Sequence, residues 1–298
     1  MDHKELQNDV ANTFKKHFGR TPLKMRLDDI MGETLELHRY TDFDNLREEY
    51  GDLLATTIAG INENGWDIAD LLKENKKKIE RRHKQYHSLG RKIKVAILGG
   101  AFDPVTQGHI ALAKFVLDTS KTFDEVWLMP CFQHMHNKKM TPAEQRLHMC
   151  ATAAAQDGRI GVSDFEIAYK LRGETYKLVN HLQGTDFAKH EYDFSMIIGQ
   201  DNANSFNTWV NFEHLERSIR FVVVPRKGIY PAEGVDWYLK PPHIYLHGET
   251  SIPEISSTEV RKDLKIFWEE GTVTETIGKM LHPDVLEFIR MNGLYKPN

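Results

Sequence analysis

From Lys92 onward, short β-branched runs alternate with stretches of helical period, and before about residue 87 no such run occurs. That contrast constrains the fold more than any other feature. The run Ile93-Lys94-Val95-Ala96-Ile97-Leu98 reads as a strand buried on both faces. Further strands are expected over Glu125–Met129, Arg159–Ser163, Phe194–Ile198, Arg220–Val224 and His243–Leu246. Helical segments separate the earlier ones, so the second part is expected to be an α/β domain, an open parallel sheet of βαβ units flanked by helices. In such sheets ligands sit beyond the carboxyl ends of the strands.

The first part reads as an all-α domain, with helices near 3–18, 24–39, 44–63 and 67–84. In the third, Leu46, Tyr50, Leu53, Leu54, Ile58 and Ile61 form an apolar stripe of helical period. Asn64-Gly65 ends it, and Asp67 is placed to cap the next helix. Short antiparallel helices of this kind are expected to pack as a bundle, completed by a second subunit. The expected division is an all-α domain over 1–88, a linker over 89–92 and the α/β domain over 93–298. The cations between Lys76 and Lys92 read as a solvated helix end and linker.

Net charge is −4, so no basic excess points to nucleic acid. No apolar run is long enough to span a bilayer, and the first residues lack a signal-peptide core. Cys131 and Cys150 are too few for a disulfide scaffold. A cytoplasmic protein, without nucleic-acid or membrane partners, is the expectation.

The loop after the first strand reads Gly99-Gly100-Ala101-Phe102-Asp103-Pro104-Val105-Thr106-Gln107-Gly108-His109. Glycines at a strand end let backbone approach a ligand. A helix begins near Gly108, and its free N–H groups face the loop, where an anion is stabilised. His109 in the first turn is placed to donate to a phosphate oxygen, with Thr106 adding a hydroxyl. No Gly-Lys-Ser/Thr follows and the G-x-G-x-x-G spacing is absent, so this is neither a Walker loop nor the dinucleotide fingerprint.

A second helix opening lies far downstream. In Ile255-Ser256-Ser257-Thr258-Glu259-Val260-Arg261, Ser256 and Glu259 form a capping-box pattern. Arg261 follows one turn later, with a planar fork suited to a polyphosphate. Taken singly, each string also suits an ordinary capped surface helix.

Together the two strings resemble the nucleotidylyltransferase signatures G-x-F-x-P-x-[HT]-x-G-H and I-S-S-T-x-[IV]-R. Between them Asp124–Pro130, Ile197-Ile198-Gly199-Gln200-Asp201, Trp209 and Phe221–Gly228 are similar to the same family, as is the tail from His282 to Tyr295. His136-Asn137-Lys138 is similar to a segment that usually reads Pro-His-Lys. The resemblance spans residues 93–298 and points to the nicotinate/nicotinamide mononucleotide adenylyltransferases, with a Rossmann-like fold. It implies transfer of AMP from ATP to a pyridine mononucleotide with Mg²⁺, releasing pyrophosphate. By it, His109 and Arg261 are catalytic. Gly99, Gly100, Phe102, Thr106, Gly108, Asp201, Ser256, Ser257 and Thr258 bind ATP. Lys138, Thr175, Tyr176 and Trp209 bind the mononucleotide. Gly173-Glu174-Thr175-Tyr176-Lys177 stands where the family usually has Ser-Tyr-Thr, which leaves acid or amide preference open. Two alternatives stand beside it. One is an adenylyl- or cytidylyltransferase for another phosphate acceptor. The other is a silent nucleotide sensor with a helical dimerisation module.

In the first part, Glu33-x-x-Glu36 and Glu49-x-x-Asp52 each place two carboxylates on one helix face. Brought together, four carboxylates repel one another unless a hard cation neutralises them. Residues 20–87 resemble the MazG-like all-α nucleoside triphosphate pyrophosphohydrolases, whose pattern is E-x-x-E, a gap, then E-x-x-D. The resemblance implies Mg²⁺ held by Glu33, Glu36, Glu49 and Asp52. A homo-oligomer formed through these helices is expected.

Overall fold

The computed structural model describes residues 43–63, 67–71, 91–133, 139–185, 192–247 and 256–297. The chain divides into two compact units, Met1–Arg91 and Lys92–Asn298.

In the first unit, helix α1 spans Phe43–Glu63. Ile58 and Ala59 of its stripe region are buried. Leu54, expected on the covered face, is 57% exposed in the single chain. After α1, the Asp67 carboxylate accepts the backbone N–H of Ala69 at 2.8 Å, the capping bond expected of it. The helices expected near 3–18 and 24–39 lie outside the described residues.

The second unit is a six-stranded sheet in the order β3-β2-β1-β4-β5-β6, every neighbouring pair parallel. The strands are β1 (Ile93–Gly100), β2 (Glu125–Pro130), β3 (Ile160–Val162), β4 (Tyr192–Gly199), β5 (Arg220–Val224) and β6 (Ile244–Tyr245). All six were expected. The edge strands β3 and β6 are shorter than the apolar runs that contain them, because each has a partner on one side only. β4 is longer, since Tyr192 and Asp193 pair with Ile93 and Lys94 at the start of β1.

Strand side chains alternate between faces. Ala96, Leu98, Val126, Leu128, Ile197, Val222 and Val224 point to one side of the sheet. There they meet Ile110 and Val116 of α2 (Gln107–Ser120), Met149 of α3 (Ala143–Ala154), Leu264 of α8 (Ser257–Glu270) and Phe288 of α10 (Pro283–Met291). Val95, Ile97, Met196, Ile198, Phe221 and Val223 point to the other. That side is covered by Leu178 and Leu182 of α5 (Thr175–Gly184) and by Leu215 of α7 (Phe212–Ser218). The single turn α4 (Phe165–Ala168), α6 (Gln200–Asn204) and α9 (Glu275–Met280) complete the unit. Burial on both faces explains the nearly uninterrupted apolar runs of β1 and β5.

The chain builds outward from β1 through β2 to β3, then crosses to the opposite side of β1 for β4. The loops after β1 and β4 therefore diverge, and the crevice between them lies beyond the strand carboxyl ends.

Candidate active site

The loop leaving β1 is closely packed. A Cβ on Gly100 would stand 3.3 Å from the Phe102 ring, a tight approach. Phe102 is itself 2% exposed and left-handed at φ 48°, a conformation held only where surrounding packing enforces it. Its ring meets the His109 ring edge-on at 4.9 Å.

Thr106 is the N-cap of α2, and His109 is the third residue of that helix. The Thr106 backbone N–H donates to His109 Nδ1 at 2.9 Å. A backbone amide is always a donor, so Nδ1 must be unprotonated and the ring proton sits on Nε2. Burial lowers the His109 pKa to about 4. The imidazole is thus neutral near pH 7, with an Nε2–H to offer. Thr106, expected to supply a hydroxyl to phosphate, is instead 2% exposed. Its Oγ1 lies 2.9 Å from His109 Nδ1, because an N-cap side chain folds back on its own helix.

Helix α8 opens with the expected capping box. Ser256 Oγ accepts the Glu259 N–H at 3.2 Å, and the Ser256 N–H donates to Glu259 Oε2 at 3.0 Å. Ser257 Oγ donates to the Pro104 carbonyl at 2.8 Å. Arg261 Nη1 donates to the Asp103 carbonyl at 2.6 Å, and its Nη2 to Thr258 Oγ1 at 3.2 Å. Two helix openings, far apart in sequence, therefore converge on one short loop. Such N-termini favour anions.

Three groups supporting that loop were not anticipated from sequence. Asp103, 7% exposed, accepts the Tyr295 hydroxyl on Oδ1 at 2.6 Å and the Thr141 N–H on Oδ2 at 3.3 Å. Burial, and then the Asp103 charge, push the Tyr295 hydroxyl pKa well above the usual phenol range. Arg146 on α3 is 1% exposed. Its guanidinium donates to four backbone carbonyls, those of Thr141, Ala101, Cys131 and Phe132. It thereby fastens the loop after β1 to the segment after β2. A signal for Arg146 was present: it falls on the apolar stripe of α3 with Ala143, Met149, Cys150 and Ala153. A cation in such a stripe needs internal acceptors.

Between the ends of β1 and β4 lies a cavity of about 460 Å³, whose lining includes Gly99, Gly100, Cys131, Glu166, Thr175 and Trp209. Trp209 also packs on Phe206, with ring centroids 5.4 Å apart. Tyr176 turns away to meet His214 at 5.4 Å. Consecutive helical residues point about 100° apart, so Thr175 and Tyr176 do not share a direction. Glu166 is 5% exposed, and burial pushes its pKa up to about 7 against the opposing pull of Arg146 and the Gly173 N–H. Asp201 stands outside the cavity wall, exposed, 3.4 Å from Arg226. Gly108 is buried in the first turn of α2.

Lys138, Glu33 and Glu36 lie outside the described residues. Glu49 falls on α1, and Asp52 on the same helix is exposed. Among the described residues, no cluster of three or more His, Cys, Asp or Glu is arranged to hold a metal.

Residues 97–263 match the Cytidylyltransferase-like family, and residues 21–87 match the MazG nucleotide pyrophosphohydrolase domain. Over 206 residues the chain is 31% identical to a protein of Anaeromyxobacter sp. (strain K) named "Probable nicotinate-nucleotide adenylyltransferase", covering 68% of this chain and 96% of that one. A Myxococcus xanthus (strain DK1622) protein of the same name is 36% identical over 171 residues, 57% of this chain and 80% of its own. Among solved structures, the Plasmodium falciparum nicotinic acid mononucleotide adenylyltransferase complexed with NaAD superposes with a TM-score of 0.55 at 23% identity. That match covers 68% of this chain and 97% of that one, and shows a shared fold.

Proposed function

The chain belongs to the cytidylyltransferase-like family, among its nicotinate-nucleotide adenylyltransferases, and from that premise we infer that its second unit transfers AMP from ATP to a pyridine mononucleotide in NAD biosynthesis. A phosphate oxygen of the mononucleotide attacks the α-phosphorus of ATP in line. The bond from that phosphorus to the β-phosphate bridging oxygen breaks, and pyrophosphate leaves. No protein nucleophile is needed, so the protein contributes positioning and charge stabilisation.

In this reading His109 donates its Nε2–H to the triphosphate as a neutral group. Arg261 and the N–H groups of residues 256–258 hold the departing pyrophosphate. Gly99, Gly100 and Phe102 shape the strand end against the nucleotide, and Asp201 lies on the adenosine side. The cavity beside Thr175 and Trp209 takes the pyridine mononucleotide, Trp209 presenting a ring face, and Lys138 is a further mononucleotide-binding residue in this reading. Tyr176, next to Thr175, is a further mononucleotide-binding residue in this reading. When bound, Mg²⁺ would neutralise charge on the triphosphate and the departing pyrophosphate, beside the donors of His109 and Arg261.

The observation that carries the reading is the pair of bonds from Ser257 to Pro104 and from Arg261 to Asp103, which bring the second helix opening onto the loop that precedes His109. Its test is the purified full chain with ATP, Mg²⁺ and either mononucleotide, products read by mass spectrometry. The dinucleotide and pyrophosphate are expected in equal amounts. A product formed only from CTP, or only with another phosphate acceptor, would sink it.

For the first unit we propose a MazG-like pyrophosphohydrolase that cleaves a nucleotide between its α- and β-phosphates, with Mg²⁺ held by Glu33, Glu36, Glu49 and Asp52. The match over residues 21–87 supports this. We also propose that two or more chains assemble through these helices. The double variant E49A/D52A is expected to lose hydrolysis and keep its assembly by size-exclusion chromatography. The substrates and two buried free thiols favour a cytoplasmic setting. Among the described residues no helix is long and apolar enough to cross a membrane.

A further inference from the structure

Glu166 has no part in the chemistry above, yet it is the most unusual group in the cavity wall. It lies on the single turn α4, just beyond the end of β3, and lines the cavity beside Gly173 and Thr175. Its carboxyl is almost wholly buried, at 5% exposure. Its Oε2 has no hydrogen-bond partner among the described residues. The charged and titratable groups that face it are Arg146 from α3 and Cys131 from the segment after β2. Arg146 supplies charge, while four of its five N–H groups go to backbone carbonyls.

A buried acceptor with no donor costs the fold free energy, and native proteins rarely leave one without a reason. In a cavity wall the missing donor belongs to the ligand. A pyridine mononucleotide carries donors in two places: the N–H of a 3-carboxamide, present in the amide only, and the ribose hydroxyls, present in both forms. We propose that Glu166 is a mononucleotide-binding residue whose Oε2 accepts a hydrogen bond from that substrate. The proposal rests on the reading that this cavity takes the mononucleotide.

The test is E166Q in the full chain, with KM measured separately for nicotinate mononucleotide, nicotinamide mononucleotide and ATP. Glutamine keeps the shape. It also replaces one carboxylate oxygen with an NH₂ donor. The expected result is a tenfold or greater rise in mononucleotide KM, with the ATP KM changed less than twofold and Tm not lowered. A rise confined to the nicotinamide substrate identifies the carboxamide as the donor, and an equal rise for both identifies the ribose. Three results overturn the proposal: both mononucleotide KM values unchanged, a rise confined to the nicotinate substrate, or an ATP KM that rises by the same factor. If E166Q does not fold, E166D keeps the carboxyl group but withdraws the oxygen, and the same criteria apply. Should the wild type form no dinucleotide at all, the functional reading fails. Calorimetric binding of the two mononucleotides to wild type and variant then decides the point, with tenfold weaker binding supporting it and equal binding overturning it.

Discussion

Arg261 Nη1 donates to the backbone carbonyl of Asp103, 2.6 Å away and 158 residues earlier in the chain. One guanidinium thus both orders the loop after β1 and stands at the opening of α8. A lysine offers a point charge without a planar fork, and cannot do both at once. We expect R261A to lower kcat by about 10²–10³-fold, the scale for losing a charge-stabilising donor. R261K should recover less than a tenth of the wild-type rate. Pyrophosphate release measures both, and wild-type turnover in R261A would remove Arg261 from the mechanism.

His109 is held as a neutral Nε2–H donor by the Thr106 N–H. H109A is expected to lower kcat by about 10²-fold or more, while costing the fold only about 1 kcal/mol for the lost capping bond. The pH dependence of stability follows from its pKa of about 4, lowered from 6.5. Below pH 6.5 the unfolded chain takes up a proton that the folded chain refuses, so stability falls as pH drops from about 6.5 to about 4. Thermal unfolding of H109A followed by circular dichroism should show a shallower loss over that window than wild type. Equal slopes would contradict the assigned burial.

Tyr295 closes the site from the far end of the chain. Removing its hydroxyl in Y295F leaves Asp103 Oδ1 buried without its 2.6 Å donor. The expected cost is about 1–3 kcal/mol, measured by urea unfolding. Because the Asp103 carbonyl is the Arg261 acceptor, the KM for ATP should rise as well. A fall in stability with ATP kinetics untouched would show that the tail is scaffold alone.

Arg146 offers a sharper case. In R146M four carbonyls lose their donor at once. We expect a loss of about 3–5 kcal/mol, the range for breaking a buried charged network. R146K should recover little, since one ammonium cannot span four acceptors. A midpoint in urea within experimental error of wild type would refute this.

Glu166 predicts the opposite sign. Its folded pKa of about 7 lies above the reference of 4.5. Above pH 4.5 the unfolded chain sheds a proton that the folded chain retains, so Glu166 destabilises the fold progressively as pH rises toward 7. E166Q removes that cost. We expect the variant to be more stable than wild type by about 1–3 kcal/mol at pH 8, with the gap closing near pH 5. A variant less stable at both pH values would mean that the carboxyl holds the loop of Gly173 in place.

The elements that carry the candidate site were legible in the sequence, and the reason is local. The strand at Ile93–Leu98, the capping pair Ser256 and Glu259, and the positions of His109 and Arg261 in their helix turns all depend on residues within a few places of one another. Hydrogen-bonding types and short periodicities carry such information. Side-chain directions that depend on a partner were not legible in this way. The contacts of Thr106 with His109 and of Tyr176 with His214 are of this kind.

What the amino-acid order determined by itself was which segments form strands and helices, and which helix openings carry anion-seeking groups, because those depend on period and capping within one or two turns. Only the tertiary structure decided that the two openings meet, that Tyr295 reaches Asp103, that Arg146 gathers four carbonyls, and that Glu166 is left with a bare oxygen. Those facts depend on which strand lies beside β1. A residue's own neighbours in the chain carry no record of the groups that packing brings to it from afar.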